Sequence, residues 1–85
     1  MKKIKLETEI KIDGVEIHEI SLRPPKVRDL LIVNKSKSDE STREVNLIAN
    51  LAEVSVEAIQ ELDLRDYMKI QNWLKDFLSH PIQQN

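Results

Sequence analysis

The sequence has no cysteine. Neither a disulfide framework nor a thiolate metal site is open to it. Its one glycine is Gly14, so there is no glycine-rich loop to cradle a phosphate. No apolar run approaches the length that crosses a membrane. The opening M-K-K-I-K-L-E-T-E-I has the charges of a signal peptide but no apolar core behind them. A basic excess is missing too: 13 basic residues face 15 acidic ones, a net charge of −2. A phosphate-backbone binder carries a strong basic patch, so no nucleic-acid partner is expected, and no membrane partner. Histidine is scarce. His18 falls on the outward side of a strand pattern and His80 in the terminal tail, with no H-x-x-x-H spacing. Both read as surface histidines, and no catalytic, cofactor-binding or metal-binding residue is assigned.

What is present fits one small folded unit. Of 85 residues, 40% are hydrophobic and 33% charged, a globular rather than a disordered balance. The expected domain spans 1–80, with 81–85 as a frayed tail. A chain this short buries little, so a partner or self-association is expected to complete its burial.

Ile4, Leu6, Thr8, Ile10 and Ile12 alternate with charged residues, the period of a half-buried strand. Asp13-Gly14 follows, the strongest short hairpin signal. Val15 and Ile17 resume the alternation, but the next apolar residues are Ile20 and Leu22. One extra residue near His18-Glu19 would bring Leu22 opposite Leu6, so a β-bulge is predicted there. Pro24 and Pro25 cannot donate to a ladder and are tolerated in a first helical turn. They read as a strand-to-helix switch.

The pattern predicts an α+β fold: an N-terminal β-hairpin over about 3–12 and 15–22, then three or four α-helices over about 25–34, 41–53, 56–62 and 64–79. Val27, Leu30, Leu31 and Asn34 share the first helix's face, with Ile32 and Val33 off it. Arg28 and Asp29 read as a structural ion pair or cap. Ser36 to Thr42 has no apolar residue and reads as a mobile loop. On the second helix, Val45, Ile48, Ala49 and Ala52 share a side that Leu47 and Leu51 widen. Ser55 is the expected N-cap of the third, with Val56, Ile59 and Leu62 inward. Asp63 and Asp66 give the fourth a capping-box-like start rather than a catalytic carboxylate pair. Its inward face is Leu64, Tyr67, Ile70, Gln71, Leu74 and Leu78, with Gln71 bonding a backbone end. Pro81 marks its stop.

Two features are left over. Arg23 to Lys37 carries five basic residues and one acid, and Ser38 to Leu62 six acids and one base. This is either two helix faces attracting each other or a dipolar surface for a charged partner. Ile32, Leu47, Leu51, Trp73 and Phe77 fall at or outside the expected core stripes. Trp73 and Phe77 are i and i+4, neighbours on one helix surface. Either the small core wraps these flanks, or they line a partner groove. L-A-E-V-S-V-E-A-I-Q-E-L has the outline of a helix-turn-helix, but its second helix would offer Glu57, Gln60 and Glu61 to DNA phosphates.

Three stretches together resemble a known family: D-G-V-E-I-H-E-I-S-L-R-P-P-K-V-R-D-L-L, L-I-A-N-L-A-E-V-S-V-E-A-I-Q-E-L and L-D-L-R-D-Y-M-K-I-Q-N-W-L-K-D-F-L. They are similar to the small tail assembly chaperones of contractile-tailed, Mu-like phages and prophages, from about Asp13 to Leu78. The strand ending L-R-x-P-x-V-R-D-L and the closing L-D-L-R-D-Y carry most of the likeness. Pro24 beside Pro25 departs from the pattern, though Pro25 keeps the switch position.

The resemblance implies a non-enzymatic chain without cofactors. Its partners would be the tape measure protein, whose helical apolar segments it keeps soluble, and tail tube subunits. It would work in the host bacterial cytoplasm and be absent from the mature virion. Such chaperones often have a longer frameshifted form, which here would diverge after Leu78. Helix-in-groove binding uses anchors at helical spacing. The groove is therefore expected on the second and last helices, at Leu47, Leu51, Trp73 and Phe77, with Ile32 beside them. The alternatives are an oligomerising structural component of the particle and a small DNA-binding regulator.

Overall fold

Asp13 and Gly14 both take positive φ, 53° and 80°, as a two-residue hairpin turn with the right-handed strand twist requires. In the computed structural model, which describes residues 1–35 and 37–79, this turn joins β1 (Lys2–Ile12) to β2 (Val15–Leu22). The helices are α1 (Val27–Asn34), α2 (Glu40–Ala52), α3 (Val56–Gln60) and α4 (Leu64–Ser79). The α+β architecture is the predicted one: an antiparallel two-stranded hairpin followed by four helices. His80, the stop at Pro81 and the tail 81–85 lie outside the described residues, as does Ser36 in the predicted loop. That loop is shorter than expected, because Asp39 accepts the Thr42 N–H (2.8 Å) and starts α2 at Glu40.

Near the turn the register is the predicted one, Ile12 opposite Val15 and Ile10 opposite Ile17. The bulge lies elsewhere. Between the pairs Ile10–Ile17 and Lys5–Glu19, β1 spends four residues, Leu6 to Glu9, where β2 spends only His18. The surplus is therefore on β1. It sets Ile4 opposite Ile20 and Leu22 opposite Lys2 rather than Leu6. The cause is a tertiary acceptor. The Asp66 carboxylate, fully buried in the first turn of α4, takes the N–H groups of Glu7 (2.8 Å) and Thr8 (3.1 Å). Lys69 adds a bond to the Lys5 carbonyl (3.2 Å) and a salt bridge to Glu7 (3.0 Å). Asp66 thus does not close a capping box; Asp63 caps α4 through the Arg65 N–H (2.8 Å).

One face of the hairpin carries the core. α2 packs on β2, and α3 and α4 on β1. Ile4, Ile20, Leu22, Ile48, Ala49, Leu51, Ile59, Ile70 and Leu74 form one cluster. Each fully buried Leu or Ile there stabilises by about 1.5–3 kcal/mol. Ser55 caps α3 as expected, accepting the Ala58 N–H (3.1 Å). α2 ends in a Schellman turn, with Glu53 at φ 59° and the Val54 N–H reaching the Ala49 carbonyl (3.1 Å).

The prolines sit two residues further ahead of the helix than expected. Helix α1 begins at Val27, with Lys26 in the extended N-cap conformation, so Pro25 precedes the helix instead of opening it. A buried clamp spans the proline pair. Arg23 grips Asp29 with both guanidinium ends (2.9 and 2.8 Å), and Asp29 also accepts the Lys26 N–H (2.7 Å). The Arg23 N–H donates to the Leu51 carbonyl (3.0 Å), fastening the end of β2 to α2. Asp29 is therefore both cap and ion-pair member, but with Arg23 rather than Arg28. The Arg23 guanidinium, aided by the Lys26 N–H, holds the Asp29 carboxyl down at about 2 against the pull of burial.

Candidate functional site

The clamp fixes the base of α1, but little holds the rest of it. Of its eight residues only Asp29 is buried. Val27, Leu30, Leu31 and Ile32 are 74%, 57%, 58% and 55% exposed. The spacing marked Val27, Leu30 and Leu31 as core-facing, and the structure corrects this. The hairpin face is already covered by α2, α3 and α4, which leaves no core surface for a fourth helix. α1 lies beside α2 instead.

Between α1 and the end of α4 the chain leaves an apolar cleft of about 270 Å³. Its walls are Pro25, Val27, Leu30 and Val33 on one side, with Leu47 of α2 and Phe77 and Leu78 of α4 on the other. The charged residues at its edge are Lys26 and Asp29, and Asp29 is committed to Arg23. A second cleft of about 290 Å³ adjoins it across Val33, Leu47 and Leu78, with a more polar rim of Glu40, Arg43 and Glu44. Glu44 is itself held by the Tyr67 hydroxyl (2.6 Å) and the Gln71 amide (2.7 Å). Gln71 therefore bonds a side chain, not the backbone end expected of it. Burial first, then the Glu44 carboxylate, pushes the Tyr67 hydroxyl well above its usual range.

The structure divides the anticipated groove residues. Leu47 and Phe77 both line the cleft. Leu51 does not: it is fully buried in the core cluster, where the end of β2 is tied to its carbonyl. Trp73 is half-buried against the core and meets Phe77 in a tilted ring contact with centroids 5.8 Å apart. It backs the cleft's aromatic wall without lining it. Ile32 is exposed, but on the flank of α1 away from the cleft. Sequence reasoning missed Val27, Leu30, Val33 and Leu78. The signal was available: L-L-I-V is apolar around the whole circumference of a short helix, and such a helix needs more cover than a small domain supplies. Leu64, expected inward, is 70% exposed because it precedes the turn that Asp66 draws onto β1.

Chemistry of other kinds has little to work with among the described residues. His18 is exposed, with the carboxylates of Glu9 (3.5 Å) and Glu16 (3.8 Å) beside its ring. α3 has five residues, and its Glu57 and Gln60 and the following Glu61 are exposed, a surface that repels phosphates. No helix among the described residues is long and apolar enough to cross a membrane.

A family model described as phage tail assembly chaperone proteins, E, or 41 or 14, matches residues 3–79. No match was found among curated proteins or among solved structures.

Proposed function

The chain belongs to the phage tail assembly chaperone family, and we propose from that premise that the α1–α4 cleft is where it holds its client. The client is the tape measure protein, a long helical chain whose apolar segments must stay soluble until the tail tube surrounds them. Tail tube subunits are the second partner. The chain acts without catalysis or cofactor in the host bacterial cytoplasm, is left out of the finished virion, and serves a contractile, Mu-like tail.

The observation that carries this reading is the exposed apolar length of α1 facing Phe77 and Leu78 across a cleft with almost no polar lining. A groove of this size is below the roughly 300–1,000 Å³ of small-molecule pockets. It suits a few anchor side chains from one helix face. Each large apolar side chain that completes its burial contributes roughly 1 kcal/mol. Several together offset the cost of association.

Co-expression with the tape measure protein tests the proposal. The wild-type chain should keep the client in the soluble fraction and co-purify with it. Leu30→Asp combined with Phe77→Ala should lower the recovered client at least about tenfold with an unchanged circular dichroism spectrum. Full client recovery with a folded double variant would place the groove elsewhere, and mass spectrometry of virions finding the chain would argue for a structural component instead.

A further inference from the structure

Resting on the reading of the cleft as a client groove, we propose that Glu44 is the groove's cation seat. The client helix carries a lysine or arginine beside its apolar anchors, on the face that enters the groove, and this cation pairs with the Glu44 carboxylate.

The two clefts form one surface. They share Val33, Leu47 and Leu78, so a helix can fill the first with apolar side chains and reach the second over an apolar floor. They differ in what is polar. The first has Lys26 at its edge, and the Asp29 beside it is committed to Arg23. The second has Glu40 and Glu44 against Arg43.

Glu44 is the member that the fold holds in place. It is half-buried, and its Oε1 takes both the Tyr67 hydroxyl (2.6 Å) and the Gln71 amide (2.7 Å). Both donors come from α4, so the carboxylate of α2 is fixed between the two helices that the groove needs. This gives the polar Gln71 a purpose inside an otherwise apolar stripe. Oε2 accepts no hydrogen bond among the described residues, and Glu44 makes no salt bridge there. Arg43 shares the rim without reaching it. Both donors that Glu44 does have are neutral, so a half-buried negative charge stands without a counter-ion. Such a carboxylate gains most from a cationic donor, because charge-assisted hydrogen bonds are the stronger ones. Glu40, exposed at i−4 on the same side of α2, adds a second negative charge. A client carboxylate at this point would be repelled.

Synthetic helical peptides test the seat on the full chain. All carry leucines at i, i+3, i+4 and i+7. In one set a single arginine is moved through every other position; in a second set glutamine takes the same positions. Binding is read by fluorescence anisotropy. At one position, or two a helical turn apart, the arginine peptide should bind wild-type protein about fivefold more tightly than its glutamine counterpart. Glu44→Gln keeps an oxygen for Tyr67 and Gln71 and should bring that ratio to about one with an unchanged circular dichroism spectrum. If no position prefers arginine, or if the preference survives Glu44→Gln, the seat is overturned. It is also overturned by concentration-dependent assembly in light scattering that Leu30→Asp and Ile32→Asp each disperse. The occupant would then be a second copy, offering its own Arg28 and Lys35. The groove is judged separately, by the glutamine peptides. If Leu30→Asp abolishes their binding, the groove stands even where the seat fails. If they bind that variant as they bind wild type, or bind neither, the groove fails and the seat with it.

Discussion

Helices α1 and α4 begin alike and end differently. Each has an aspartate at its third position, Asp29 or Asp66, almost fully withdrawn from solvent. Asp29 turns back on its own helix start and on Arg23. Asp66 reaches out and takes two N–H groups of β1. Beyond that first turn α4 lays Ile70 and Leu74 into the core, whereas α1 buries no apolar residue. α4 is thus packed, and α1 is only positioned. One polar anchor is enough to aim a helix whose apolar length stays available, and that is the arrangement a client groove needs.

Removing the anchors should break the contrast most. Asp29→Ala leaves the Arg23 guanidinium in a largely buried site with only the exposed Glu53 carboxylate, 3.8 Å away, to answer it. The expected loss is about 3–5 kcal/mol, near the lower end because Arg23 keeps some water contact. Urea unfolding measures it, and the double change Arg23→Leu with Asp29→Leu should recover much of it, since no lone charge then remains. Asp66→Ala should cost about 2–3 kcal/mol by leaving the Glu7 and Thr8 N–H groups without an acceptor. Amide exchange at those two positions should speed up well before exchange at Ile20, locating the damage in the bulge.

Acid offers a gentler version of the same break. The Asp29 carboxyl is lowered from 3.8 to about 2 on folding. A depressed folded value contributes stability that is present above the unfolded value and lost as pH falls through the folded one. A shift of nearly two units amounts to about 2 kcal/mol, lost between about pH 4 and pH 2. Asp66 adds to this in the same direction: burial alone pushes its carboxyl up, but the Glu7 and Thr8 N–H groups and Lys69 hold it below the ordinary range. Denaturation midpoints across that pH window should fall less steeply for Asp29→Asn than for wild type.

These anchors also mark where sequence reasoning stopped. The Asp13-Gly14 turn, the Ser55 cap and the span of α4 were legible because each is decided by residues within a few positions. The buried face of α4 was legible at Ile70 and Leu74 for the same reason, since one helical period generates it. The bulge was misplaced because its cause, Asp66, lies 58 and 59 residues away from the N–H groups it binds. Gln71 finding Glu44 is likewise a contact between helices that no spacing announces. For α1, periodicity put Val27 and Leu30 on one face but left Val33 off it and gave that face the wrong destination. An apolar face says that burial is favourable, but not whether this chain or another provides it. Of the anticipated groove, Leu47 and Phe77 lie in the cleft and Leu51 in the core. A widened helical stripe does not mark which of its edges the hairpin will cover.

The smallest expected effect sharpens the comparison furthest. Leu31→Ser removes a large apolar side chain from a position that is more than half exposed. In a packed helix such a change costs about 2–5 kcal/mol. On α1 the stability should stay within about 0.5 kcal/mol of wild type, as for surface changes away from special features. Leu74→Ser on α4, where the side chain is buried, supplies the packed reference in the same protein. Matched urea curves for the two variants therefore compare positioned and packed helices directly. A loss at Leu31 approaching that at Leu74 would mean that α1 is covered by its own chain, and that the cleft beside it closes without a partner.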